Sequence, residues 1–516
     1  MVRISAKSRR IESEISRMSL LRYGLPSALF MTAAAGGAWA QTIPGALTPL
    51  PPAAVGPSAT VAPIAPAPPT TTVVETAPAP ALAPAPADAP PPLGATVAAP
   101  VPVQAAQLRA PDLFSADAGQ PTGLPSDLWK GASADLARAV MPMLVQKPVS
   151  PAAAAFAHRV MTTPGQAPDG AGQDADLAAA RIYVTLSLGD PLGARTMLEH
   201  TPGVRQSAAL SQVAAEADLV LGREDEACGL GDNLVAGKDG PYWRRLRAYC
   251  LLRAGDKPGA QLAYDLTEEQ AKDDIYKRLM SAAVAGTPPG EVSLRNGIEY
   301  AISRRLQLDL APAMDKAWAP IATAVAMDSS AQATAQAAAA SRVARRIADT
   351  SRASSLNPAV RDTALSLADN KLSADLAERL AAAGAGGSME AQQALGIYAA
   401  AGAPGTGRVR AAFAGFDIGR SAASQARLLE LDALSVGGSK GDAALLALWL
   451  AADAGEAGPV PADRARIIRA LRRAGFDQDA RNYALEGLLA LTPPPPPPPP
   501  PPKAKPKPVK KPRRGN

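Results

Sequence analysis

The apolar and polar positions of the chain repeat the pattern of two helices joined by a turn. The segments LSLGDPLGARTML, LVLGREDEACGL and LLRAGDKPGAQLA each contain an apolar helix end, a glycine, four residues and an alanine that opens the next apolar run. Glycine adopts the left-handed backbone that ends a helix, and a small alanine lets the next helix approach closely. The pattern therefore predicts helical hairpins. The glycine–alanine pairs are Gly189/Ala194, Gly222/Ala227 and Gly255/Ala260.

The spacing of these glycines indicates a repeat. The first three are 33 residues apart, and the pattern returns near the end of the chain with spacings of 36 and 37. Helical-hairpin arrays have periods of this size. No run alternates with the two-residue period of a strand, so an all-α fold is predicted. The alternative is that an alanine-rich helical protein contains this spacing by chance. The later pairs are Gly402/Gly407, Gly438/Ala443 and Gly475/Ala480.

The G-x-x-x-x-A core of these segments, preceded in each by leucines, resembles the tetratricopeptide class of α-solenoids over residues 175–270 and 385–491. The Trp, Tyr and Pro positions of the full consensus are missing, so the resemblance extends only to a TPR-like solenoid. It implies stacked hairpins with a concave groove for a peptide or a partner helix. The candidate lining residues, which are alternatively core or rim residues, are Tyr183, Tyr242, Trp243, Arg244 and Arg247.

Capping residues predict where several helices begin. Asn357 followed by Pro358 is typical of an N-cap with proline in the first helical position. Thr267 and Gln270 have the spacing of a capping box that would open a helix at EEQAKDDIYKRLM.

The body is predicted to begin with an entry cap. Residues 126–165 read as helices packed around Trp129, and Ser150 with Pro151 supplies a helix start inside this segment.

Proline content divides the chain. Its 52 prolines are concentrated in residues 43–111 and in a C-terminal run, and such segments bury too little surface to offset the entropy of ordering. We expect all-α structure flanked by disordered Pro-rich segments. The predicted boundaries are 1–40 for a signal peptide or membrane anchor, 41–125 for a Pro/Ala-rich tether, 126–491 for the helical-repeat body and 492–516 for a polyproline spacer with a basic tail.

The N-terminal segment predicts export from the cytoplasm. Arg22 precedes a weakly apolar stretch that ends in Ala38-Trp39-Ala40, as in a secretory signal with its cleavage site. Met18 is the expected translation start under this interpretation. The alternative is an uncleaved inner-membrane anchor, because residues 23–40 are uncharged over the shortest length that spans a bilayer. Both interpretations place the body in a bacterial periplasm, and the alanine- and arginine-rich composition favours a bacterium with GC-rich DNA.

Charge is unevenly distributed. The formal charge of the chain is +6, but the residues between the N-terminal segment and the tail hold more acids than bases, which argues against a nucleic-acid groove. The polyproline spacer should hold the basic tip away from the body, near an anionic envelope surface. A merely solubilising tail is the alternative. The tip consists of Lys503, Lys505, Lys507, Lys510, Lys511, Arg513 and Arg514.

The two cysteines fall on neighbouring predicted helices. Cys228 follows Ala227 at the start of one hairpin's second helix, and Cys250 lies five residues before Gly255 at the end of the next hairpin's first helix. These helices should be antiparallel neighbours, so a disulfide is predicted for an oxidising compartment. Two reduced, buried thiols are the alternative.

Few residues suggest catalysis. The two histidines, His158 and His200, are not spaced with the cysteines as zinc ligands, so no metal, cofactor or catalytic residue is predicted. The segment GAPGTGRV lacks the Lys-Ser/Thr ending of a phosphate loop and follows a helical run, which favours an inter-helix turn.

The layout of one apolar N-terminal segment, a proline-rich stretch and a helical body resembles the proline-rich bitopic periplasmic proteins that position the polar flagellum in alphaproteobacteria. The resemblance implies envelope scaffolding at a cell pole, and a cleaved signal would count against it. The expected function is a non-catalytic scaffold with an envelope protein as its partner. The alternative is a cell-wall enzyme or an activator of one linked to peptidoglycan.

Overall fold

The computed structural model describes residues 111–268, 272–329 and 356–491. Every regular element in these ranges is a helix, which confirms the all-α prediction. The predicted export segment 1–40, the tether up to residue 110 and the tail from residue 492 lie outside the described residues.

The first two ranges contain eleven α-helices, and short 3-10 helices at Val204–Gln206 and Ala311–Lys316 connect some of them. The α-helices are α1 (Ala134–Gln146), α2 (Pro151–Thr162), α3 (Ala175–Ser187), α4 (Pro191–His200), α5 (Ala208–Val220), α6 (Glu224–Asn233), α7 (Pro241–Arg253), α8 (Lys257–Glu268), α9 (Asp274–Ala285), α10 (Gly297–Arg305) and α11 (Ala319–Ser329).

The third range continues as a further series of helices. They are α12 (Pro358–Ala368), α13 (Ala374–Ala385), α14 (Met389–Ala400), α15 (Gly407–Ala414), α16 (Gln425–Gly437), α17 (Lys440–Ala454), α18 (Pro461–Arg473) and α19 (Asp477–Leu489).

Two predicted helix starts are confirmed. The Ser150 hydroxyl accepts a hydrogen bond from the Ala153 amide at the start of α2, and Pro151 occupies the first turn. The Asn357 side chain accepts one from the Ala359 amide at 3.0 Å at the start of α12. Each cap satisfies a backbone donor that the helix itself leaves unpaired.

The predicted capping box at Thr267 is wrong. Thr267 lies inside α8, where its hydroxyl donates to the Ala263 carbonyl at 2.8 Å. The next helix, α9, begins later, and Asp273 caps it by accepting from the Ile275 and Tyr276 amides. A threonine hydroxyl that bonds back to the previous turn competes with a cap of its own. Gln270 lies outside the described residues.

The repeat glycines end helices at the predicted positions, with one exception. Gly438 has φ −89°, so the turn between α16 and α17 uses ordinary backbone. The paired alanines Ala194, Ala227, Ala260 and Ala480 are fully buried, as close helix packing requires. Left-handed φ values occur at Gly189, Gly222, Gly255, Gly402 and Gly475.

The helices on either side of these turns form antiparallel hairpins, but a regular solenoid is not confirmed. The α3–α4, α5–α6 and α7–α8 pairs pack together, and α3 also packs on α5. Helix α5 also packs on α10, however, and α7 contacts α6 instead. The position beside α5 that the next hairpin would occupy in a regular stack is therefore taken by a helix from further along the chain.

Helices from the two ends of the described chain pack against each other. Helix α1 packs on α17, and α2 packs on α19. The Ser133 amide donates to the Asp442 carboxylate at 2.8 Å, and Arg159 pairs with Asp479 at 2.6 Å. One continuous apolar cluster accordingly extends from Phe114 to Leu488.

Residues 111–125, which the sequence assigned to the tether, pack onto the body. Phe114 is fully buried and meets Trp129 edge-on, with ring centroids 5.3 Å apart. Trp129 is also fully buried, so the entry cap is centred on it as expected.

Candidate functional site

The disulfide joins two neighbouring hairpins. Cys228 on α6 and Cys250 on α7 are bonded, with their Cα atoms 5.7 Å apart. The predicted pairing is therefore present in the structure. Next to it, the Arg253 Nε atom lies 3.1 Å from Glu224 Oε2, and Arg253 also pairs with Asp225. The first turn of α6 is thereby fastened to the last turn of α7.

A buried carboxyl group lies where α5 meets α10. Glu216 is fully buried, and its Oε2 atom accepts a hydrogen bond from the Gly297 amide at 2.7 Å. Burial raises the pKa of Glu216 to about 7, although the amide bond opposes the shift, and the nearby Glu299 charge adds to it. The contact is close, because a Cβ at Gly297 would lie 3.0 Å from Glu216 Oε2.

Two of the predicted groove residues surround this carboxyl. The phenols of Tyr183 and Tyr242 lie near Glu216, and burial, followed by the Glu216 charge, raises the pKa of each well above its ordinary value. Tyr183 is only 6% exposed. These two residues therefore belong to a buried polar cluster between helices.

The other three groove residues do not share one environment. Trp243 is 6% exposed and packs in the core, where its ring meets Tyr242 edge-on at 5.2 Å. Arg244 is half-buried, and Arg247 is exposed. Of the five residues, Arg247 thus offers the most open surface, together with part of Arg244.

Asp218 is a second buried acid on α5. Its Oδ1 atom lies 2.9 Å from Arg195 Nε. Burial raises the pKa of Asp218 to about 6, and the charges of Arg195 and Arg223 oppose that shift.

Asp273, Arg295 and Glu299 form an ionic network beside α10. Arg295 donates to both Asp273 oxygens, at 2.9 and 3.0 Å, and also to Glu299. Burial alone would raise the pKa of Asp273, but these bonds hold it below its usual range.

Both histidines pair with aspartates. His158 Nε2 lies 2.8 Å from Asp190 Oδ2, and Asp190 also caps α4 by accepting from the Gly193 amide. His200 lies 3.4 Å from Asp117 on an exposed surface. His158 thus connects α2 to the start of α4, and His200 is the last residue of α4. Among the residues that the structure describes, no group of three or more potential metal ligands occurs.

The buried acids were missed in the sequence, although a signal was present. Glu216 and Asp218 stand in the run LSQVAAEADLVL, where helical periodicity places Glu216 three residues from both Val213 and Leu219, which are buried. A charged residue on an apolar helix face predicts a buried partner.

Comparison with protein-family models, with curated proteins and with solved structures found no match. Within the three described ranges, no helix is both long and apolar enough to cross a membrane.

Proposed function

We propose that the chain is a non-catalytic adaptor of the bacterial cell envelope whose helical body binds a protein partner. The observation that carries the proposal is the Cys228–Cys250 disulfide. Disulfides form and persist in oxidising compartments such as the periplasm. This agrees with the export signal or anchor that the sequence predicts at residues 1–40.

The disulfide also supports a binding role for α7. A crosslink near one end of this helix, with the Arg253 ion pairs beside it, restrains the surface that carries Arg244 and Arg247. A restrained surface loses less entropy when a partner binds. We therefore assign the partner-binding surface to the exposed side of α7.

The flanking segments extend the reach of this adaptor. The tether should link the body to the inner membrane or to its export site, and the basic tip should reach an anionic envelope surface. Placement or assembly of a polar flagellum is the narrower process that the layout suggests. A peptidoglycan-linked enzyme, or an activator of one, is the alternative function.

Cell fractionation, thiol mapping and crosslinking in the native host test the proposal. We expect the protein in the envelope fraction, with both cysteines resistant to alkylation until a reductant is added. Periplasmic crosslinking should capture a partner that is lost from an Arg244→Glu, Arg247→Glu variant and kept by an Arg205→Glu control. A cytoplasmic protein with free thiols would overturn the proposal.

Deletion of the gene would distinguish between the adaptor and the cell-wall enzyme or its activator. A displaced envelope assembly with an unchanged muropeptide profile supports the adaptor. Loss of a muropeptide species supports the cell-wall enzyme or its activator.

A further inference from the structure

The C-terminal half of the body carries a concentration of uncompensated arginines. No acid occurs between Arg464 and Phe476, nor between Ala391 and Phe416. Both stretches therefore carry basic residues and no acidic ones. Their exposed arginines are Arg408, Arg410, Arg469, Arg472 and Arg473, which we call the arginine face.

The fold brings the two stretches together. Helices α15 and α18 both pack on α14. Arg472 on α18 donates to the Ala400 carbonyl at 3.2 Å, at the end of α14. Arg410 on α15 donates to the Gly405 carbonyl at 3.0 Å, in the turn that follows α14. The two guanidinium groups therefore flank the same turn, residues 401–406, which contains the first part of the segment GAPGTGRV.

The arginine face has no carboxylate partner among the described residues. None of its five members forms an ion pair within 4.0 Å in that part of the chain. By contrast, Arg466 on the same helix pairs with Asp432 at 2.8 Å. Asp477 is the nearest acid along the chain after Arg473, and it makes no ion pair with the face. Arg469, Arg472 and Arg473 share one side of α18, because they are three and four residues apart. Like charges this close repel one another, and an anionic ligand would relieve that repulsion.

We propose that the arginine face docks the folded body on a bilayer surface that contains anionic phospholipids. Guanidinium groups bind phosphate oxygens through paired N–H donors, and a phospholipid surface offers phosphates in many positions. Single-stranded nucleic acid would instead need aromatic rings for its bases. The aromatic residues of residues 391–416 and 464–476 are all buried or half-buried.

This proposal rests on the proposed envelope role, because a body in the cell envelope lies close to a bilayer. It gives the body a contact of its own, separate from the basic tip. With both cationic regions engaged, the body would lie at a defined orientation on the lipid, whereas the tip alone would leave it free to rotate.

Vesicle cosedimentation with the full chain tests the proposal. The tail is first neutralised by Lys503→Gln and the same change at its other six cations, so that only the body's charge is measured. We expect this protein to bind phosphatidylcholine vesicles that contain phosphatidylglycerol and not to bind vesicles of pure phosphatidylcholine. Added salt should release the bound protein. Because each cation near an anionic surface contributes about fivefold in binding, Arg408→Gln, Arg469→Gln, Arg473→Gln should lower the partition coefficient on the order of 100-fold.

The three substituted arginines make no hydrogen bond or ion pair with any residue that the structure describes, so their replacement should leave the helical circular dichroism spectrum and the thermal midpoint unchanged. A matched control removes three exposed cations elsewhere, as Lys130→Gln, Arg205→Gln, Lys257→Gln, and should bind as the parent does. Equal losses of vesicle binding in both variants, or no vesicle binding by the parent, would overturn the proposal that the arginine face docks on anionic lipid. So would tighter binding of the parent to RNA or to polyglutamate than to vesicles. Because these measurements use purified protein and lipid, their failure is distinguishable from cytoplasmic localisation, which would overturn the proposed function itself.

Discussion

Glu486 near the end of α19 accepts a hydrogen bond from the Ala152 amide at 2.6 Å, across 334 residues of sequence. Its other carboxylate oxygen accepts from Arg464 at 2.8 Å. Glu486 therefore caps α2 and neutralises an arginine that is only 2% exposed. A negative group is favourable at a helix N-terminus, so this single carboxylate links the two ends of the described chain.

Replacement of Glu486 should consequently destabilise the whole body. Glu486→Ala leaves Arg464 buried without its counter-charge, and loss of one partner of a buried ion pair costs about 3 kcal/mol or more. Urea denaturation would measure the free energy of unfolding, with the exposed Glu456→Ala as the matched control. A loss below about 1 kcal/mol would show that water replaces the carboxylate.

Arg181 should stabilise the start of the described chain, as Glu486 stabilises the contact between its two ends. It is fully buried and donates to the carbonyls of Phe114, Ala116, Met161 and Thr163. Burial lowers the pKa of Arg181 to about 9, which the charges of Asp112 and Asp117 partly oppose. Arg181→Met would leave several buried carbonyls unpaired, each at a cost of about 1–3 kcal/mol.

We therefore expect Arg181→Met to release residues 112–117 from the body. Limited proteolysis followed by mass spectrometry should show cleavage at Phe114 in the variant but not in the parent. The exposed Arg205→Met serves as control. Equal protection of Phe114 in both proteins would contradict the role of Arg181 as its anchor.

The local features of this fold could be predicted from the sequence, whereas its long-range contacts could not. Helix caps such as Ser150 and turn glycines such as Gly189 act through the adjacent residues, and the cysteine pairing followed from the register of two successive hairpins. The Glu486–Ala152 contact depends on which distant apolar faces meet, and no local pattern specifies that. The same reason explains why α10, and not the next hairpin, lies beside α5.

The candidate site shows the same limit. Tyr183 and Tyr242 were selected as residues of a groove, but α10, a helix from outside the repeat, packs on α5. Gly297 at the start of α10 bonds to Glu216, so the tyrosines face a buried carboxyl instead. The periodic pattern indicated which residues lie on the same face of a helix. It could not indicate which other helix would pack against that face.

Stability should fall as the pH rises through the range where Glu216 ionises. Its pKa of about 7 in the folded protein exceeds the ordinary value of 4.5, so the folded state binds more protons than the unfolded state between these two values. The contribution of Glu216 to the free energy of unfolding is therefore largest below pH 4.5, and it is lost as the pH rises above 7. The expected loss is on the order of 3 kcal/mol, and Asp218, with its raised pKa of about 6, adds in the same direction.

The Glu216→Gln variant separates this effect from other titrations. The amide cannot ionise, and its oxygen can still accept from the Gly297 amide. We expect the variant to show a flatter pH dependence of the unfolding free energy between pH 4.5 and pH 7, while a Glu456→Gln change at an exposed position keeps the parental slope. A parental slope in Glu216→Gln would mean that this carboxyl does not titrate in that range.

Reduction of the disulfide should destabilise the body. The Cys228–Cys250 bond spans a sequence separation of 22 residues, and closure of a loop of this length stabilises a protein by about 3 kcal/mol in the chain-entropy model. Chemical denaturation with and without a reductant measures the difference. A Cys228→Ser, Cys250→Ser variant should match the reduced parent and be insensitive to the reductant. Equal stability of the oxidised and reduced parent would remove the structural role of the crosslink.

Two glycines should respond in opposite directions to the same substitution. Gly475, between α18 and α19, has φ +87°, and a Cβ there would meet no atom within 4 Å. Gly475→Ala therefore tests backbone strain alone and should destabilise the protein by about 1 kcal/mol. Gly229 lies inside α6 and also has free space for a Cβ, so Gly229→Ala should stabilise by about 0.5–1 kcal/mol through helix propensity. Thermal and urea unfolding of both variants beside the parent would measure the pair, and a stabilising Gly475→Ala would contradict the left-handed turn that ends this repeat's first helix.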